Sequence, residues 1–326
     1  MYKIIFDVMG GDHGPKPAIE AVCKFLKKNP SYHFTLVGDE KQILTHLKTK
    51  HSNIEIFHSP NSMPKDIDPI KARGVESSML DAVKILKDES EGIIISAGNS
   101  GAYLTLATLY LKRMDKIKRP AFMPIFPTIV KNKSTLVLDV GANLQATVEY
   151  IHQWAQLANA FSKNILGVDK PKVAILNVGE EKNKGMDFHK GAAELLENDS
   201  NINYVGFIES KFILTGECDV IVTDGYAGNI ALKSAEGTLM AVSKFLKKTF
   251  KTRPYYMLGA LLSKGVFKKL KNTLNHKKVG GAWILGLSRL AIKAHGSSDK
   301  ESFLGALNQA KLAIDKDMLN KFKEEL

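Results

Sequence analysis

Two stretches of this chain place the same residue types in the same order, 127 positions apart: Ile93-Ile94-Ile95-Ser96-Ala97-Gly98-Asn99-Ser100-Gly101 and Val220-Ile221-Val222-Thr223-Asp224-Gly225-Tyr226-Ala227-Gly228. Three β-branched residues lead to a hydroxyl residue, one variable residue and Gly-x-x-Gly. A helix-compatible run follows each, over 102–112 and 229–248. A buried parallel strand, a glycine turn and a helix start leave several backbone N–H groups unpaired at one point. Such a point suits an anion, above all a phosphate. Gly98, Asn99, Ser100 and Gly101 of the first copy, and Asp224, Gly225 and Gly228 of the second, are therefore expected to bind phosphate or substrate. Asn229 should fall in the first turn of its helix, where its amide either caps the helix or donates to a phosphate or developing oxyanion.

Three further turns have the same flavour: Asp7-Val8-Met9-Gly10-Gly11-Asp12-His13, Asp139-Val140-Gly141-Ala142-Asn143 and Asn177-Val178-Gly179-Glu180-Glu181. Turn and capping chemistry accounts for any one of them. All five on one rim point to a ligand, which adds Asp7, Gly10, Gly11, Asp139 and Asn143 to the expected binding set. Lys184 sits at an apparent helix start, where a cation opposes the helix dipole by ~0.3–1 kcal/mol. Either it holds an anion, or Glu180 and Glu181 balance it on a solvated loop. Lys293-Ala294-His295-Gly296-Ser297-Ser298-Asp299 contains Ser, His and Asp, but triad members normally come from separate parts of a fold. Ser298 and Glu301 instead fit the capping box of a helix with Phe303, Leu304, Leu307, Ala310 and Ile314 on its apolar face. That leaves His295 as a donor, and Ser297 as a ligand, near an anion.

The elements that must position these residues alternate. Apolar runs at 3–7, 33–37, 54–57, 92–96, 135–140, 172–178, 203–208 and 219–223 read as strands, with helical patterns at 15–28, 40–48, 75–87, 102–112, 147–163 and 184–196 between them. This predicts one α/β domain over residues 1–326, a three-layer α/β/α Rossmann-like fold with a mostly parallel sheet and ligands beyond the carboxyl ends of the strands. The first turn lacks G-x-G-x-x-G and the chain has no G-x-x-x-x-G-K-[ST], which disfavours dinucleotide and nucleoside triphosphate chemistry.

Composition is that of a soluble globular protein, with 44% hydrophobic and 25% charged residues. Met1-Tyr2-Lys3 leads directly into strand pattern, so no signal peptide is expected. Cys23 and Cys218 lack metal-ligand spacing and suit a reducing cytoplasm. The nine histidines form no HxxxH or HExxH arrangement, so no protein metal site is expected. The net charge of +12 is concentrated between Glu236 and Asp299, a window without acidic residues that holds 13 of the 46 lysines and arginines. The remaining 33 basic residues nearly balance the 34 acidic ones. Residues 239–280 read as a basic amphipathic helical extension: Leu258, Leu261 and Leu262 lie close to Lys264, Lys268, Lys269 and Lys271. Such a segment suits either an anionic membrane surface or a dimer interface with solvated lysines. Aromatic residues interleaved along a groove are absent, so no nucleic acid partner is expected.

Taken in order, the motifs DVMGGDH (7–13), SAGNSGA (96–102), DVGAN (139–143), NVGEEKNKG (177–185), DGYAGNIALKSAEG (224–237) and KAHGSSD (293–299) resemble the bacterial phosphate acyltransferase family, PlsX, across almost the whole chain. Leu144-Gln145-Ala146-Thr147-Val148 departs from the V-D-C-K-P usual after DVGAN in the family, so no role of that Cys or Lys carries over. The resemblance implies a homodimer that uses no dissociable cofactor and converts an acyl thioester on acyl carrier protein, with inorganic phosphate, into acyl phosphate for glycerolipid synthesis. It implies roles in activity for Lys184 and Asn229 and peripheral membrane attachment through the basic segment. A membrane glycerol-3-phosphate acyltransferase would consume the product. Phosphate would itself be the nucleophile, with His295 assisting the leaving thiolate. The alternatives are a phosphotransacetylase-like enzyme using acyl-CoA and a non-catalytic lipid-binding scaffold.

Overall fold

The computed structural model describes residues 3–49, 51–267 and 280–326, so Lys268, Lys269 and Lys271 lie outside the described residues. Its first half runs β1 (Lys3–Asp7), α1 (Lys16–Leu26), β2 (His33–Gly38), α2 (Glu40–His46), β3 (Ile54–His58), α3 (Ser78–Asp88), β4 (Gly92–Ser96), α4 (Ser100–Leu111) and β5 (Ala121–Pro127). Then follow β6 (Ser134–Leu138), α5 (Val148–Phe161), β7 (Lys172–Leu176), α6 (Asp187–Glu197), β8 (Asn203–Ile208), β9 (Val220–Val222), α7 (Gly225–Phe250) and α8 (Pro254–Leu262). The chain closes with β10 (Gly281–Leu285), β11 (Leu290–Ala294), α9 (Lys300–Asp315) and α10 (Met318–Glu325).

All eight expected strands form, and three more appear: β5, β10 and β11. These three join what would otherwise be two separate sheets. The order is β3-β2-β1-β4-β11-β10-β5-β6-β9-β7-β8. The strands from β3 to β11 are mutually parallel, as are β6, β9, β7 and β8. The pairings β11–β10, β10–β5 and β5–β6 are antiparallel, so the second parallel block runs opposite to the first. The sheet is mostly parallel, but it is two opposed blocks rather than one doubly wound sheet with a single rim.

Helices cover both faces. Apolar residues alternate along β1, with Ile4 and Phe6 on one side and Ile5 on the other, and each side feeds its own core. One core gathers α1, α5 and α9 residues such as Phe25, Trp154 and Phe303; the other gathers α3 and α4 residues such as Val83 and Leu106. Both cores extend from the first strand block into the second, through Val173 and Ile175 on one face and Ala174 and Ile221 on the other.

Helix starts follow local chemistry. Asp39, Ser77, Asn99, Thr147, Asp224 and Asp299 each accept a backbone N–H of the first turn. Two of these correct the sequence expectation. Asp299, not Ser298, caps α9, because its carboxylate reaches both the N–H and the hydroxyl of Ser302. Asp224, not Asn229, caps α7; Asn229 lies beyond the first turn with its amide uncommitted to capping.

The described part of the basic extension over 239–280 lies mainly in α7 and α8. Apart from Gly225 and Gly228, none of the residues of these two helices is buried. β10 and β11, which follow the extension and end the acid-free window, lie at the centre of the sheet. No helix among the described residues is long and apolar enough to cross a membrane.

The root of α7 is fixed by backbone contact. A Cβ on Gly228 would stand 1.9 Å from the Asp139 carbonyl oxygen, and one on Gly225 would stand 2.4 Å from that of Asn143. Gly237, farther along the same helix, faces open space. Gly228→Ala is therefore expected to lower stability by at least ~2–3 kcal/mol, since a backbone atom cannot move aside as a side chain can. Gly237→Ala should raise it by ~0.5–1 kcal/mol. Thermal melts of the two variants check the contrast.

Candidate active site

The functional positions fall into two clusters, one beyond each parallel block. In the first, Asp7 ends β1 and is buried. Its carboxylate accepts hydrogen bonds from Ser78 Oγ at 2.7 Å, Ser96 Oγ at 2.6 Å and the Met9 N–H at 3.2 Å. Burial pushes its pKa up, against the hydrogen bonds that favour the charged form. The β1 and β4 turns touch closely: a Cβ on Gly10 would lie 2.5 Å from the Gly98 nitrogen. Asn99 caps α4 through Ala102 N–H and donates its side-chain amide to the Lys65 carbonyl. Among the described residues, the N–H groups of Ser100 and Gly101 meet no protein acceptor.

The turn after β11 completes this cluster. Asp12 N–H donates to the Gly296 carbonyl at 2.7 Å, and a Cβ on Gly11 would lie 3.7 Å from the same oxygen. Asp12 pairs with Lys65 at 2.5 Å, and that contact holds its carboxyl below the ordinary range. His295 Nδ1 lies 3.2 Å from the Ser297 N–H and 2.9 Å from Ser297 Oγ. A backbone N–H can only donate, so Nδ1 is an acceptor and the neutral ring carries its proton on Nε2.

In the second cluster Asp139 follows β6 and is fully buried. It accepts from the N–H groups of Phe122 (3.0 Å), Ala142 (3.0 Å) and Asn143 (2.6 Å), and from the Asn143 side chain (3.1 Å). Even so, burial raises its pKa to about 6. Asn143 also spans to the Pro120 carbonyl and receives the Gly225 N–H on its own. Asn229 packs its side chain against Gly141. Asn177, at the end of β7, holds the Lys184 carbonyl from its side chain. Nearby, His189 is buried; desolvation lowers its pKa while the Asp224 charge partly restores it.

Lys184 itself is exposed, on the loop before α6, which begins at Asp187. The expected opposition between Lys184 and a helix dipole is thereby removed, because the dipole acts within the first turn and Lys184 precedes it. The five turns do not share one rim by strand direction. Asp7, Gly10, Gly11, Gly98, Asn99, Ser100, Gly101, His295 and Ser297 belong to the first cluster. Asp139, Asn143, Asp224, Gly225, Gly228, Asn229 and Lys184 belong to the second. The three expected catalytic residues are thus divided between them.

At ~20–25° per neighbouring pair, the six steps from β1 to β9 rotate the strand direction by about 120–150°, which largely undoes the reversal of the second block. Burial pulls the pKa of Lys293 on β11 down to about 8, against the charges of Asp7 and Asp12. Sequence reasoning did not select Lys293. The available signal was a lysine continuing the apolar run Leu290-Ala291-Ile292 straight into a glycine turn. Large apolar side chains stand exposed around the second cluster: Leu144, Val178, Met186, Tyr226 and Ile230. On the arm, Leu258, Leu261 and Leu262 are 58%, 65% and 80% exposed, and Lys264 is exposed beside them.

A family model described as fatty acid synthesis protein matches residues 2–321. The phosphate acyltransferase of Mycoplasmopsis pulmonis is 46% identical over 326 residues, covering 100% of both chains. That of Mycoplasma mobile is 44% identical, again over 100% of both. Among solved structures, a phosphotransacetylase from Streptococcus pyogenes matches with a TM-score of 0.65 at 16% identity, covering 96% of this chain and 94% of its own. The EutD phosphotransacetylase of Staphylococcus aureus matches with a TM-score of 0.59, also at 16% identity, with the same coverage of 96% and 94%. At such identity the shared property is the fold. The full-length sequence similarity goes further: the chain belongs to the phosphate acyltransferase (PlsX) family.

Proposed function

We propose that this protein transfers the acyl group of an acyl carrier protein thioester to inorganic phosphate, with phosphate as the direct nucleophile. The observation that carries the reading is full-length similarity to proteins named phosphate acyltransferase. The site supports it. Both thiols of the chain are poor nucleophiles here, since burial pushes Cys23 up and Cys218 up to about 11, and neither belongs to the two clusters. Ser297 contacts His295 only within its own turn.

In this mechanism a phosphate oxygen attacks the thioester carbonyl and forms a C–O bond. The tetrahedral oxyanion then expels sulfur as a thiolate, which takes up a proton. Lys184 neutralises charge on phosphate or the oxyanion, and Asn229 donates a hydrogen bond. His295, with Nε2 carrying its proton, serves the leaving sulfur. Leu144, Val178, Met186, Tyr226 and Ile230 offer apolar surface to the acyl chain beside Asn229. No dissociable cofactor takes part.

The same reading makes the protein a cytoplasmic homodimer attached peripherally to the membrane. It passes acyl phosphate to a membrane glycerol-3-phosphate acyltransferase for phospholipid synthesis. Basic surface near the clusters steers the acidic carrier protein by charge, and exposed α8 leucines beside lysines suit an anionic lipid surface. The fold shared with phosphotransacetylases favours one second reading, in which acyl-CoA is the donor. A non-catalytic lipid-binding scaffold is the third outcome.

An assay of acyl phosphate formation from phosphate with acyl carrier protein or acyl-CoA thioesters separates the three. Faster turnover of the carrier thioester is expected; preference for CoA selects the second reading, and no product selects the scaffold. Lys184→Ala and Asn229→Ala should each lower kcat/KM by ~10²–10³-fold with unchanged melting temperature. Wild-type rates in both would remove them from the mechanism. Ser297→Ala should lose less than about 10-fold, the scale of one hydrogen bond, whereas a seryl intermediate demands a loss of ~10⁴-fold or more. For the arm, replacing Leu258, Leu261 and Leu262 with Asp should abolish sedimentation with anionic vesicles; binding equal to wild type would sink the membrane assignment.

A further inference from the structure

Lys184 stands exposed on the loop between β7 and α6, and a lysine on a loop places its charge only as well as its backbone is held. Here the backbone is held from the strand side by Asn177, which is buried at the end of β7. The Asn177 N–H donates to the Ile208 carbonyl of β8 at 2.9 Å, and its side-chain amide donates to the Lys184 carbonyl at 3.2 Å. Its Oδ1 accepts the Val178 N–H at 2.9 Å, which fixes the orientation of the amide. Gly185 follows with a φ of +89°, and a Cβ there would overlap the same Oδ1. Glycine is thus required for the loop to lie against Asn177. The Lys184 N–H donates to the Glu181 carbonyl at 3.0 Å, and a Cβ on Gly179 would stand 3.4 Å from Lys184 Cγ, so the stem of the lysine rests on that glycine.

The helix side supplies a second hold. His189, the third residue of α6, accepts the Met186 N–H on Nδ1 at 3.1 Å, while its own N–H donates to the Met186 carbonyl at 3.0 Å. In a capping box a Glu or Gln at this position reaches back to the N–H before the helix. A backbone N–H can only donate, so Nδ1 accepts and the neutral ring carries its proton on Nε2. The ring is buried against Phe188, with centroids 4.0 Å apart. Two buried side chains, one ending a strand and one starting a helix, therefore grip backbone groups of residues 184–186. Lys182, two positions earlier, pairs with Glu197 at 2.7 Å, whereas among the described residues Lys184 has no carboxylate partner. Its ammonium is left unspent by the contacts that order its backbone.

Resting on the acyl-to-phosphate reading above, in which Lys184 neutralises phosphate or oxyanion charge, we propose that Asn177 and His189 are positioning residues for Lys184. Together they hold residues 184–186 in one conformation, so that the ammonium meets the reacting groups already oriented. Neither acts on the substrate itself.

Rates of acyl phosphate formation and amide hydrogen exchange, both on the full chain, test the hold. His189→Phe keeps a buried flat ring without an acceptor. It should lower kcat/KM by about 10–100-fold, the scale of an ångström misplacement. Exchange of the Met186 amide should quicken by at least about 10-fold. His189→Gln restores the capping-box acceptor and should stay within about 3-fold of wild type in both measurements. Asn177→Ala, which frees the Lys184 carbonyl, should repeat the rate loss. In a Lys184→Ala background His189→Phe should cost no more than about 2-fold further, because a residue that acts through Lys184 has nothing left to position. Wild-type kcat/KM in His189→Phe or Asn177→Ala, with Met186 exchange quickened, would overturn the assignment. So would a full further loss in the Lys184→Ala background, or a His189→Gln variant that regains amide protection without regaining rate. Wild-type turnover in Lys184→Ala, or a chain that makes no acyl phosphate, would overturn the enzymatic reading instead; the exchange pattern would still report the hold.

Discussion

Everything functional in this fold depends on the reversal of strand direction at β10 and β5. Two parallel blocks, each with ligand-type turns beyond its strands, are joined by three antiparallel pairings. In a flat sheet the two sets of turns would look away from each other. The right-handed twist native to β-strands turns the second set back, so that a site assembled from both blocks becomes possible. β5, β10 and β11 are thus more than a seam. They set how many steps of twist separate the clusters.

The two Gly-x-x-Gly turns use their glycines differently from the anion-binding picture that their pattern first evokes. In both blocks a strand-end aspartate is buried and gathers the hydrogen-bond donors of its turn, and a neighbouring glycine lets the backbones meet. In the second block Gly225, Ala227 and Gly228 all give their N–H groups to protein acceptors. In the first block Ser100 and Gly101 do not. The copies therefore diverge in the opposite sense to a simple ranking by sequence: the second turn is the more internally satisfied, and it contributes side chains rather than backbone.

The α/β layering and eight strand positions were legible because apolar runs of strand length alternate with helical periodicity. β5 was hidden by Pro124 and Pro127, which argue against a strand interior. β10 and β11 were hidden inside a lysine-rich window whose charge pointed toward surfaces. Motif spacing located both clusters, since Asp, Gly and Asn collect after strands, but it carried no information on strand sense across a gap of unrelated pairings. The α9 cap was misassigned by one residue, and the role of Asn229 at α7 was left open, because Asp299 and Asp224 compete with suitable neighbours and only geometry selects between them.

α7 is one continuous helix of 26 residues, about 39 Å long, seated on glycine contacts at its root, with Ala227, Ala231 and Leu232 partly buried against a core and most of its far half exposed. Mechanically it is a lever with a short, stiff footing. A tilt of a few degrees about Gly225 and Gly228 barely moves Asn229 relative to Asp139, yet carries the far end by several ångströms. Whatever surface holds the far end and whatever anion holds the near end act on the same rigid body. If gripping one changes its angle, linkage requires the other to feel that change with equal free energy.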